Sequence, residues 1–140
     1  MIRISFTAVA IGFLLTIALD AATGFGLLVI HGGELFSGGG SDQQMSAALD
    51  AVTSSTGFMF VSMLLGTLTT VVGGFVTARV ARRYPYFNGL ALGVLGMLFG
   101  LLFTPQGPLW INVIGFAAVI PAALVGSHVA ARQGWPDRQG

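Results

Sequence analysis

GTLTTVVGGFVTARVARR, Gly66 to Arg83, is the stretch whose reading decides the fold. Its first fifteen positions carry a single charge, Arg79, and it ends in Arg82 and Arg83. Ser62, Gly66, Thr70, Gly74 and Ala78 recur at every fourth position, which on a helix makes one narrow ridge of small side chains. In lipid there is little hydrophobic drive between helices, so ridges of this kind let backbones approach until dispersion and weak hydrogen bonds hold a bundle. The closing arginines mark a cytoplasmic boundary by the positive-inside rule.

Composition points the same way. The 140 residues are 54% hydrophobic and 8% charged, with mean hydropathy +0.86, against roughly 25% charged in soluble domains. The apolar residues come in runs too long for a soluble core, so the expected solvent and first partner is the lipid bilayer. A formal net charge of +1 gives no reason to expect nucleic acid. Cysteine is absent, which removes disulfides, thiolate chemistry and cysteine metal sites.

Outward from the deciding stretch, the chain divides into four expected spans at about residues 4–30, 57–80, 88–104 and 109–131. They belong to one membrane domain of four helices in a compact bundle. The first run, Ile4 to Ile30, contains one ionisable residue, Asp20, and as a helix would reach about 40 Å. A cleaved signal peptide is the rival reading of Arg3 and the apolar residues after it. No small-x-small cleavage site follows, and the apolar run resumes at Gly26. Residues 31–56 form a polar outer loop without Lys or Arg. In it Gly38-Gly39-Gly40 is a break, and Ser41 with Gln44 fits a capping box opening a short helix. Met45, Ala48, Leu49 and Val52 fall on one face of that helix, as expected of an amphipathic segment at the interface or over the bundle.

Residues 81–87 read as a cytoplasmic loop in which Pro85 breaks the helix, with Tyr84, Tyr86 and Phe87 at the headgroup layer. The third span carries a glycine seam at Gly89, Gly93, Gly96 and Gly100. Thr104 to Pro108 is an uncharged tight turn. Trp110 marks the outer end of the fourth span, which contains Pro121 and a ridge of Ala118, Ala122, Gly126 and Ala130. Residues 132–140 are a polar tail. With four spans, Arg3, Arg79, Arg82, Arg83, Arg132 and Arg138 all fall on one side, so both termini are expected in the cytoplasm of a bacterial inner-membrane protein. GGFVTARVARR (Gly73 to Arg83) also aligns with AALVGSHVAAR (Ala122 to Arg132), which would fit a two-plus-two parallel repeat. Chance alignment of Gly, Ala and Val helices ending in Arg is the alternative.

Asp20 is the sharpest candidate for chemistry, since a carboxyl at membrane depth costs on the order of 2.5 to 3.5 kcal/mol. It shares a four-residue ridge with Ala8, Gly12, Thr16 and Gly24, so it should face the bundle. Counting from the outer helix ends places it level with Thr67, Thr69 and Thr70, away from Arg79 and His128. The candidate ion or proton site is therefore Asp20 with Thr16, Thr67 and Thr70, and the competing reading is a carboxyl that only fixes helix register. Gly12, Gly66, Gly74, Gly93, Gly96, Gly100 and Gly126 are expected to serve helix packing. His128 reads as an interfacial hydrogen-bonding residue. No cofactor motif, metal-ligand set or catalytic constellation is visible, so no enzymatic activity is expected.

Four spans with a carboxyl in the first resemble the layout of small multidrug resistance transporters. Those carry a glutamate where this chain has Asp20, and their drug site is lined by aromatic residues, whereas the second span here is rich in threonine and glycine. The expected function is a structural or accessory protein that packs against itself or other membrane subunits. The alternative is a small oligomeric transporter or channel using Asp20.

Overall fold

The structure, a computed structural model, describes residues 4–37, 41–102 and 109–133. The expected break at Gly38–Gly40, the Thr104–Pro108 turn, most of the tail, and Arg3 and Arg138 lie outside the described residues. Five helices are present: α1 Phe6–Ser37, α2 Asp42–Thr53, α3 Thr56–Ala81, α4 Pro85–Leu102 and α5 Leu109–Arg132. No strand occurs among the described residues. Four helices, α1, α3, α4 and α5, are long and apolar enough to cross a membrane.

Local signals set most boundaries. Ser41 and Gln44 form the capping box of α2, each side chain bonding the other's backbone N–H. Ser55 caps α3 by accepting from Phe58 N at 3.3 Å. At its far end α3 stops at Arg82, which takes a left-handed conformation (φ 57°) and returns its N–H to Ala78 O.

Two boundaries differ from those read off hydropathy. α1 continues past Ile30 to Ser37, because nothing between those residues removes a backbone donor, and a drop in hydropathy does not end a helix. The turn between α3 and α4 shrinks from the expected 81–87 to 82–84. α3 has already stopped at Arg82, and Pro85, expected inside the loop, instead opens α4, where its fixed φ suits the first helical position and its missing N–H is no loss.

α3 is the hub, touching α1, α2, α4 and α5, while α4 also meets α1 and α5. α1 and α5 occupy opposite corners and do not meet among the described residues. The end of the bundle that holds Arg79, Arg82 and Arg83 is packed tightly. A Cβ on Gly74 would stand 2.8 Å from Ala123 Cα, and one on Gly126 would stand 2.7 Å from Phe75 N. Between α1 and α3, a Cβ on Gly12 would reach 2.8 Å from Gly73 O and collide with the Thr77 side chain. Gly93, Gly96 and Gly100 of α4 approach Ile120, Val119 and Phe116 of α5. The ridge from Ser62 to Ala78 therefore divides: Gly74 meets a neighbouring backbone, whereas Gly66 has nothing within 4 Å of its Cβ position.

The largest fully buried side chains at this end are polar: Asn88, Thr77 and Ser127. Asn88 accepts from Ser5 N at 2.7 Å and donates to the Arg83 and Tyr84 carbonyls at 3.0 Å each. It thereby ties the start of α1 to the α3–α4 turn, whose Arg83 and Tyr84 carbonyls it pairs. Ser127 lies 2.9 Å from Ala123 O and 3.2 Å from Gly74 O, a link between α5 and α3.

Candidate functional site

Away from the arginine end the helices separate around a cavity of about 1200 Å³. All four long helices contribute to its wall, and Asp50, Ala51, Thr53 and Ser54 bring α2 onto it. Met45, Ala48, Leu49 and Val52, the residues expected on one face of α2, are the half-buried ones of that helix. Most of the wall is apolar, with Phe13, Phe58, Phe99 and Phe116 on it. Phe13 and Phe99 meet edge to face, centroids 5.3 Å apart, and join α1 to α4.

Asp20 lies on this wall together with Thr16, Thr67 and Thr70, so one cavity brings the four sequence-derived candidates together. Within the chain, Asp20 Oδ1 accepts a hydrogen bond from the Thr69 hydroxyl. Thr69 sits at the level that counting along the helices assigned to Asp20, one residue from the Thr70 named as its companion. Its oxygen is also 2.9 Å from Gly66 O. A hydroxyl has one proton, so Thr69 shares it between a carboxyl on α1 and a carbonyl of its own helix.

Five other hydroxyls of the lining donate their protons to carbonyls of their own helices or caps. Thr16 donates to Gly12 O at 2.9 Å, Thr67 to Met63 O at 2.8 Å and Thr70 to Gly66 O at 2.8 Å. At the end of α2, Thr53 donates to Leu49 O at 2.8 Å and Ser54 to Ala51 O at 3.3 Å. Each therefore presents oxygen lone pairs to a guest. Ser62 and Asn112 complete the polar lining. Asp20 and Asp50 are the ionisable side chains among the described lining residues, and both are acidic.

The remaining sequence candidates fall elsewhere. Gly66 borders the cavity and Gly96 and Gly100 lie on its α4 wall, whereas Gly12, Gly74 and Gly126 occupy the packed end. The Arg79 guanidinium stacks over Phe75 at 5.5 Å and donates to Gln133 Oε1 at 3.1 Å. Arg82 and Arg83 are exposed at the turn. His128 Nδ1 is 2.8 Å from the Tyr86 hydroxyl, a hydrogen-bonding pair on the outside of the bundle. Among the described residues no three His, Asp or Glu side chains converge as a metal site would require.

Sequence reasoning missed Asp50, Asn112 and Asn88. Asp50 stands one residue from the apolar face of α2, and only the seating of α2 over the bundle puts it on the cavity. Asn112 did carry a signal, being an amide in an otherwise apolar first turn. Asn88 carried one too, as a polar side chain three residues into a proline-started apolar helix.

Compared with protein-family models, curated proteins and solved structures, the chain matches none.

Proposed function

We propose that the chain is a small membrane carrier that admits a cationic solute to the cavity, with Asp20 as its recognition element. One observation carries this reading: a cavity wide enough for a drug-sized molecule whose described ionisable lining is two carboxylates and no base. A carboxyl inside a membrane-spanning helix that borders a cavity marks an ion or substrate path more readily than one packed against a single partner. The protein then sits in a bacterial inner membrane with both termini in the cytoplasm. Supporting this, Arg79 and Gln133 meet across α3 and α5, which brings the basic ends of two helices to one face. The cavity consequently opens outward, beneath α2. The alignment of Gly73–Arg83 with Ala122–Arg132 gains support from Gly74 packing on Ala123, the residue that it aligns with.

A second reading, an accessory subunit, is favoured by the absence of contact between α1 and α5. In it a helix of a partner or of a second copy fills the space that those two leave. Flux separates the readings. Proteoliposomes with the wild-type chain should pass organic cations, and Asp20→Asn, which keeps the shape and an acceptor for Thr69, should abolish the flux. Wild-type vesicles as tight as protein-free ones across a panel of cations would favour the subunit.

A further inference from the structure

The hydrogen-bonding sense of the cavity narrows what it takes. Building on the carrier reading, we infer that the solute is a protonated primary or secondary amine with an apolar body, held by N–H donation and not by charge alone. The cavity is far larger than a bare or hydrated monovalent ion needs, and most of its wall is apolar and aromatic. That suits an organic body, with an ammonium set against ring faces. The polar part of the wall is mostly acceptors, with donors at the Asn112 amide and the Ser62 hydroxyl. Asp20 and Asp50 contribute carboxylates, and Thr16, Thr67 and Thr70 have their hydroxyl protons on Gly12, Met63 and Gly66 carbonyls. A guest without donors would leave these lone pairs dry and unpaired, whereas an ammonium N–H satisfies several at once. Thr69 can adapt to the arrival of such a guest. Its proton already has a second acceptor in Gly66 O at 2.9 Å, so a guest N–H can take over Asp20 Oδ1 without orphaning the hydroxyl.

The test is direct binding to the purified chain in nanodiscs, read by equilibrium dialysis against three probes of one shape. 2-Phenylethylammonium has charge and N–H donors, its N,N,N-trimethyl analogue has charge without donors, and 2-phenylethanol has one O–H donor and no charge. The primary ammonium should bind at least about tenfold tighter than the trimethyl analogue, as expected when charge-assisted hydrogen bonds are lost. The alcohol should bind no better than to empty nanodiscs. Asp20→Asn should lose the preference. So should Gly66→Leu, whose Cβ enters space with nothing within 4 Å and whose side chain takes up room on the cavity wall. Equal affinity for the two cations would overturn the donor requirement and leave the cationic reading standing. Binding of the alcohol as tight as that of the amines, or no binding of any probe beyond that of empty nanodiscs, would overturn both.

Discussion

Gly66 and Gly74 stand two turns apart on one face of α3, and alanine should have opposite effects at the two. At Gly66 the new methyl meets nothing within 4 Å, so the change acts through the backbone alone. Removing a glycine from a helix interior is worth about 1 kcal/mol in favour of the helix. At Gly74 the same methyl would lie 2.8 Å from Ala123 Cα and 2.9 Å from its carbonyl carbon. Carbon atoms settle at about 3.5 to 4.0 Å. The obstacle is backbone and cannot rotate aside, so α3 and α5 must separate. Overpacking of this kind costs typically about 1 to 3 kcal/mol, and the closeness of the contact puts Gly74→Ala at the upper end. After the gain in helix propensity the net loss is about 2 kcal/mol. The two variants should thus differ by about 3 kcal/mol, a factor of more than about 100 in the folding equilibrium. Reversible unfolding in mixed micelles of increasing SDS fraction, followed by helical circular dichroism, reads that difference. Equal stability of the two variants, or stabilisation by both, would refute the division of the ridge into a packed half and an open half.

Three further outcomes follow from individual contacts. Thr69→Val removes the hydroxyl that donates to Asp20 and should destabilise by about 0.5 to 2 kcal/mol. In a double-mutant cycle the loss should shrink when Asp20 is already Ala, and an unchanged loss would deny the coupling. Asn88→Ala strips one acceptor from Ser5 N and one donor group from the Arg83 and Tyr84 carbonyls. It should cost about 2 to 4 kcal/mol in the same unfolding assay, and a loss below the level of an exposed substitution would remove Asn88 as the tie between α1 and the turn. The chain has no cysteine, so Ser41→Cys and Tyr84→Cys report sidedness without background. An impermeant maleimide applied outside intact cells should modify only Ser41→Cys, and modification of both would sink the four-span orientation.

How much of this could be read from the sequence depended on how local each cause is. The capping box at Ser41, the start of α3 after Ser55 and the apolar face of α2 depend on residues within a turn or two, and the spacing alone located the box and that face. Hydropathy marked the apolar run that closes at Ile30, where the first candidate span also ends, but not where the helices themselves begin and end. α1 runs on through a polar segment because its backbone bonds are indifferent to side-chain polarity, and α4 starts at Pro85 because proline's fixed φ suits the first helical position. The meeting of Asp20 and Thr69 lies between these cases. It joins residues 49 apart in sequence, and counting turns from the ends of two expected spans puts them at one level.

The cavity was not legible, and Gly66 shows why. Both it and Gly74 are glycines on one four-residue ridge, Gly66 between Leu65 and Thr67 and Gly74 between Gly73 and Phe75, and neither pair of neighbours says which glycine meets another helix. Whether a small residue admits a neighbouring helix or leaves a space depends on the distance between two axes, and that distance is set where the axes are pinned. Here the pins lie at one end, in the backbone contacts of Gly74 and Gly126 and in the buried hydrogen bonds of Asn88 and Ser127. The same ridge, carried two turns further on, meets no backbone and instead shares a wall with Phe13, Phe116 and the threonines around Asp20. A space pinned shut at one end is bordered by α2 at the other. On the carrier reading proposed above, the carboxyls that a solute would meet in that space are Asp50 of α2 and Asp20 of α1.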